Sequence, residues 1–459
     1  MKRGFLTLVC VVACTRNRAP ADTDAATSGS TVVAQPLTPS PFVPGTVPAF
    51  PGAEGFGARA VGGRGGAICR VTTLAKAGPG SLQECLDQTG RRTVVFDVSG
   101  VIEGPLEIKH GQLTIAGQTS AGGVTIKGGV VCDNVYDPND CNDLIVRHVR
   151  FRGGAPDSFR IGGAHDVILD HCSFAGAEDE NIEITRSRNI TIQHSIIAEP
   201  RGEHYKWGGV LINYSKDVMP LDAITIHHSV WNGVSGRLPE MSCEENGDGP
   251  GKTNCSGRAL SIELSNNVLW DVSDPIWFNR CTGTNEGNDC PPSAKNFGVK
   301  LNLVGNVMAR RSSAEADLPF IEPAAFASPN SAIYASDNVQ LRGAARVQPK
   351  TGIAARHPFP GVSYTPSASV VAEAVKLAGA FPRDKMDKRL IGYLGQSIDA
   401  RPPAWKNENG VDVGDGFTIP ATKAPGLPEG WKPPPSCAAG YTPLECYLND
   451  LAVKRLASP

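Results

Sequence analysis

From Thr93 onward the chain is a succession of short runs in which apolar and polar residues alternate, each closed by glycine, asparagine or aspartate. TVVFDVS, LEIKHGQLTIAG and GVTIKGG open the series, and ALSIELSNNVLWD and GVKLNLVGNVMA continue it at longer intervals. A period of two over so few residues predicts half-buried β-strands. Between these runs, DLIVRHVRF, DVILDHCSF, NITIQHSII and AITIHHSVW superpose on His148, His171, His194 and His228. The steps are 23, 23 and 34 residues, the last accommodating an inserted loop. Repetition at this period predicts an all-β parallel solenoid, with alternating positions such as Ile190, Ile192 and Ile196 filling its interior. Ser81-Leu82-Gln83-Glu84 is a capping box that predicts a short helix, placed to plug the open end. The glycine-dense FPGAEGFGARAVGGRGG lacks the G-K-[ST] ending of a phosphate loop and reads as tight turns.

The repeat also aligns charge. Asp157 lies 9 residues after its histidine, Asp179 and Glu183 lie 8 and 12 after theirs, Lys206 12 after, and Arg237 9 after. Equal phase in a stacked coil means equal azimuth, so three carboxylates, a lysine and an arginine are expected on one face. Hard oxygen ligands of this kind suit a hard metal cation. Against this stands the ordinary reading of Glu178–Glu183 as a solvated acidic loop. The histidines recur at one repeat position, which fits a stacked structural ladder better than acid–base chemistry. His204 is a secondary candidate near the same face.

Composition narrows the classes. There are 51 glycines and 36 prolines in 459 residues with 6% aromatics, which suits short strands and turns over a helical bundle. A formal net charge of −2 argues against a general nucleic-acid binder. Residues 1–14 combine Lys2 and Arg3 with a short apolar run and end in VVAC, a lipoprotein-type export signal with Cys14 as the acylated residue. An ordinary secretion signal is the alternative. Residues 15–48 read as a disordered Pro/Ala/Thr-rich tether, 49–311 as the solenoid, and 312–459 as trailing segments packed on it. Ten later cysteines form close pairs, Cys69/Cys85, Cys132/Cys141, Cys243/Cys255, Cys281/Cys290 and Cys437/Cys446, as expected of disulfides in an oxidising compartment. Cys172, inside VILDHCSF, is expected to be a buried, inert thiol.

FPGAEGFG, RTVVFDVSGVI, LTIAGQT, VILDHCSF, NITIQHSII and GYTPLECYLNDL, in that order, resemble the pectate lyase family, polysaccharide lyase family 1. The resemblance implies a right-handed parallel β-helix and a secreted or outer-surface enzyme, expected to be monomeric. It would cleave pectate or polygalacturonate, an anionic polysaccharide, by β-elimination with Ca2+ as cofactor. It assigns Asp157, Asp179 and Glu183 to the metal, Lys206 to the substrate and Arg237 to catalysis. Members commonly carry further arginines three and five positions after the catalytic one, where this chain has Glu240 and Ser242. The alternatives are a pectin or other uronate lyase, a glycoside hydrolase using two carboxylates, and a non-catalytic polysaccharide-binding β-helix.

Overall fold

The computed structural model describes residues 47–135, 140–201, 208–244, 249–278, 296–342, 352–396 and 419–457. Lys206, His204, Cys281, Cys290 and the whole export segment with Cys14 lie outside them. The alternating runs form a parallel β-helix of three sheets. Leu144–Arg147, Val149–Arg152 and Phe159–Gly162 give one strand each to the first, second and third sheet. His165–Asp170, Ser173–Ala175 and Ile182–Thr185 make the next coil. Coils pair in register: Leu169 lies between Val146 and Ile192, Phe174 between Phe151 and Ile197, and Glu183 between Arg160 and Leu211. Beyond residue 311, Ala332–Ser336 and Val339–Gln340 still pair in parallel with the first and second sheets. Among the described residues no helix is long and apolar enough to cross a membrane.

The interior follows from the alternation. Val167, Leu169, Phe174, Ile182, Ile184, Ile190 and Ile192 are fully buried in one continuous core, and Phe151 stacks on Phe174 with centroids 4.9 Å apart. Ile196 departs from expectation. It faces outward, and Ile197 enters the core instead. The cause is the turn at His194, whose left-handed backbone (φ 47°) resets the phase between the two strands. His148, His171 and His228 adopt the same conformation, with φ of 56°, 50° and 49°. Their rings form the expected ladder, at 5.0, 4.9 and 5.0 Å between successive centroids. Burial pushes the His148 and His194 imidazoles well below the ordinary histidine range, as suits stacked neutral rings. The next residue pins each turn to its neighbour: Cys172 N donates to Ser195 Oγ, Ser195 N to Ser229 Oγ, and Ser229 N to Asn267 Oδ1, each at 3.1 Å.

Two sheets are covered from outside. The N-terminal strap lies on the first, where Gly57 N donates to Thr191 Oγ1 at 2.8 Å. A Cβ on Gly57 would sit 2.2 Å from the Val167 carbonyl oxygen, so the glycine-dense run is flat packing as much as turning. Helix Pro443–Leu456 joins it, burying Leu444 and Leu448 against Val95 and Ala116. Helices Ser367–Leu377 and Lys385–Gly392 cover the second sheet, where Val370, Met386 and Leu390 meet Ile196, Val230 and Trp270. Helix Leu82–Asp87 closes the N-terminal end. Ser81 caps it, accepting from Glu84 N at 3.2 Å, and Leu82, Cys85 and Leu86 are buried. Cys69–Cys85, Cys132–Cys141, Cys243–Cys255 and Cys437–Cys446 are disulfide-bonded. Cys172 is fully buried, and burial pushes its thiol up to about 12. The outer face of the third sheet keeps its charged residues and meets no covering helix among the described residues.

Candidate active site

The turns leading from the second sheet into the third stack on one another as the strands do. Ser158 N donates to the Glu180 carbonyl, Asn181 N to Gly208 and Val210 N to Arg237, at 3.1, 2.8 and 2.8 Å. A Cβ on Gly209 would lie 2.2 Å from the Arg237 carbonyl oxygen, so this approach requires glycine. These turns make a rim, and the outward side chains of the third sheet make a floor beside it. Asp157 and Asp179 stand on the rim at successive coils, and Arg237 stands on it two coils beyond Asp179, as their common phase predicts. Arg237 has φ 54°, but many turns of this coil use the same region, so its backbone carries no functional argument.

Asp157, Asp179 and Glu180 each place a carboxylate oxygen within 4.8 Å of the others. Asp157 is 6% exposed; its Oδ1 accepts from Glu180 N at 3.1 Å, and its carboxyl meets that of Glu183. Burial, with the Asp179 charge adding to it, pushes the Asp157 carboxyl up to about 6. Glu183 begins the floor. It points outward from Ile182–Thr185, 3.3 Å from Arg160 Nε, and Arg160 also meets Asp133 at 3.1 Å. Burial and then the Asp157 charge push Glu183 up to about 8. Carboxylates held above their ordinary range by burial and mutual repulsion would be relieved by a cation among them.

Arg237 bridges rim and floor. Its Nη1 pairs with Glu180 and lies 3.5 Å from Asp179 Oδ1, and its Nε donates to Glu240 Oε2 at 2.9 Å. Ser242 Oγ donates to the other Glu240 oxygen at 2.6 Å. The two positions where arginines were looked for thus hold a carboxylate that orients Arg237 and a hydroxyl that orients the carboxylate. Sequence reasoning missed Glu180, which adjoins Asp179 and is 3% exposed. The even spacing that selected Glu183 applies within a strand, and the strand starts only at Ile182. Its signal was available: a glutamate two residues before a strand and next to Asp179. Where Lys206 stands relative to these groups lies outside the described residues.

No family model matches the chain. Over 108 residues it is 48% identical to a probable pectate lyase C of Aspergillus oryzae, covering 23% of this chain and 24% of that one. Over 109 residues it is 48% identical to a probable pectate lyase C of Emericella nidulans, again 23% and 24% of the two chains. The match thus spans about a quarter of the length of these curated relatives. Among solved structures, a thermostable pectate lyase aligns over 72% of this chain and 97% of its own, at 14% identity and a TM-score of 0.47.

Proposed function

We propose that the protein is a calcium-dependent lyase that cleaves polygalacturonate-type uronate polymers by β-elimination. The observation that carries this is the rim cluster: Asp157, Asp179 and Glu180 bring carboxylate oxygens within 4.8 Å of one another, with Glu183 against Asp157 and Arg237 against Glu180. The donor set fits the metal, being all carboxylate oxygen. Asp157 and Asp179 would hold the ion with Glu180, and Glu183 would contribute from the floor. When bound, the ion draws charge from the substrate carboxylate and so acidifies the proton on the adjacent carbon.

The chain's own residues do the rest. Arg237 takes the C5 proton. The C–H electron pair becomes the C4–C5 double bond, the C4–O bond breaks, and water protonates the departing oxygen. A guanidinium donating to carboxylates carries all its protons and offers no lone pair. Arg237 therefore acts from its transient neutral form, its own proton lost to hydroxide at alkaline pH; a cation held by Asp179 and Glu180 would favour that form. Glu240 then keeps the guanidinium aimed through Nε. Lys206 is assigned to a substrate carboxylate. The same proposal places the enzyme outside the cytoplasm, as four disulfides in the described residues favour. Cys14 is its point of lipid attachment, and the working unit is the monomer.

The test is absorbance in the ultraviolet during incubation with polygalacturonate, with calcium or with chelator. A rise that requires calcium is expected, because only elimination creates a conjugated double bond. New reducing ends without absorbance would replace the proposal with hydrolysis, and neither signal would point to another uronate polymer or to a binding protein.

A further inference from the structure

The cleft floor has a register of its own. The outward residues of the third sheet line up across the coils as Arg160, Glu183, Leu211, Glu240 and Trp277. Their inward neighbours, such as Ile184, Ile212, Met241 and Phe278, belong to the core, which fixes the outward direction of this row by strand alternation. Trp277 is half-buried and lies directly across from Glu240, about 4.8 Å away at the backbone. On the side of Arg237 away from the rim cluster, the floor is therefore a carboxylate followed by an indole.

Charge decides what can lie there. Polygalacturonate presents a carboxylate on every sugar. A site for such a sugar needs a cation or a set of N–H donors, because desolvating an unpaired anion is costly. At this position the acidic side chain of the floor is Glu240. One of its oxygens is taken by Arg237 and the other by Ser242, so it has no donor to offer. A second carboxylate would meet it as a like charge. An indole beside it favours the apolar face of a pyranose ring.

Building on the lyase reading above, we infer that the subsite formed by Glu240 and Trp277 takes an uncharged sugar, so that the preferred polymer has a neutral ring next to the uronate being cleaved. Two sources share that chemistry: a methyl-esterified galacturonate, or a neutral sugar alternating with galacturonate. Glu240 thereby excludes by charge, and Trp277 selects by stacking.

The experiment measures kcat/KM from ultraviolet absorbance, with saturating calcium, on three polymers. These are fully de-esterified polygalacturonate, highly methyl-esterified polygalacturonate, and a polymer alternating galacturonate with a neutral sugar. One of the last two is expected to be the best substrate, and which one names the source. Trp277→Ala should lower kcat/KM about tenfold on that substrate, through KM, with little effect on the de-esterified polymer. Glu240→Gln should shift the preference ratio toward the de-esterified polymer. Because Glu240 also aims Arg237, Glu240→Gln is expected to slow all three substrates, and the shift in their ratio is what tests the subsite; a merely structural role for Trp277 would slow all three alike. The inference is overturned if de-esterified polygalacturonate is the best substrate and neither variant moves the ratio. Absorbance on none of the three polymers would instead sink the lyase reading itself, and this subsite with it.

Discussion

Replacing Asp157 by asparagine should make the metal-free protein more stable while destroying its response to calcium. The carboxyl is 6% exposed and pushed from 3.8 up to about 6. A shift of about two units corresponds to ~3 kcal/mol, charged to the folded state whenever the group is ionised. The sign follows from linkage. A carboxyl raised on folding costs stability above its folded value, and the cost disappears as pH falls through about 6 toward the unfolded value. Asparagine keeps the oxygen that accepts from Glu180 N and removes the charge. In chelator at pH 8, Asp157→Asn should therefore melt about 5–10 °C above the native protein, taking 2–4 °C per kcal/mol for a large domain. That gap should narrow toward pH 5. Adding calcium should raise the melting temperature of the native protein, by mass action on the folded state, and leave the variant nearly unmoved. Thermal unfolding followed by circular dichroism reads all of this. A variant that melts lower in chelator, or that keeps the full calcium shift, would refute the idea that Asp157 is a strained ligand awaiting a cation.

Arg237→Ala should reduce turnover at least 100-fold, the low end of what positioned acid–base groups contribute, with an unchanged circular dichroism spectrum; appreciable residual elimination would remove it as the base. Asp387→Ala should destabilise by about 3–5 kcal/mol in denaturant titrations, because it strands Arg150 and Arg152, both fully buried under the Lys385–Gly392 helix. A loss below ~1 kcal/mol would mean that Asp384 alone suffices to hold both guanidiniums. Cys172 should resist alkylation in the native protein at pH 8, being buried with its thiol pushed up to about 12, and react only after unfolding. Peptide mapping that finds native Cys172 modified would contradict its burial.

Much of this was legible because a solenoid turns sequence phase into position. The four histidines marked the coil, and the same offsets brought Asp157, Asp179 and Arg237 to one rim. The rest was hidden where period and conformation part company. Ile196 followed the alternation on paper but sits past a left-handed turn that reverses it. Glu180 belongs to a turn, where a period of two has no meaning. The row that ends in Trp277 was invisible because Glu240 and Trp277 are adjacent in space while separated by the disulfide-linked stretch Cys243–Cys255 and two further strands. The coil past residue 311 was missed because AIYAS places only one large aliphatic side chain, Ile333, in the core.

The pinned turn has a consequence for how such a chain can change. Cys172 and Ser195 are 23 residues apart, Ser195 and Ser229 are 34, and Ser229 and Asn267 are 38, yet each pair makes the same 3.1 Å bond. The length of chain between two coils is therefore free, while their alignment is not. Lineages can add or trim material at the edge of the cleft by whole loops and never disturb the spacing of the side chains beneath it. Recognition can be rebuilt from the margin while the chemistry stays in place, and the scaffold holds the two apart.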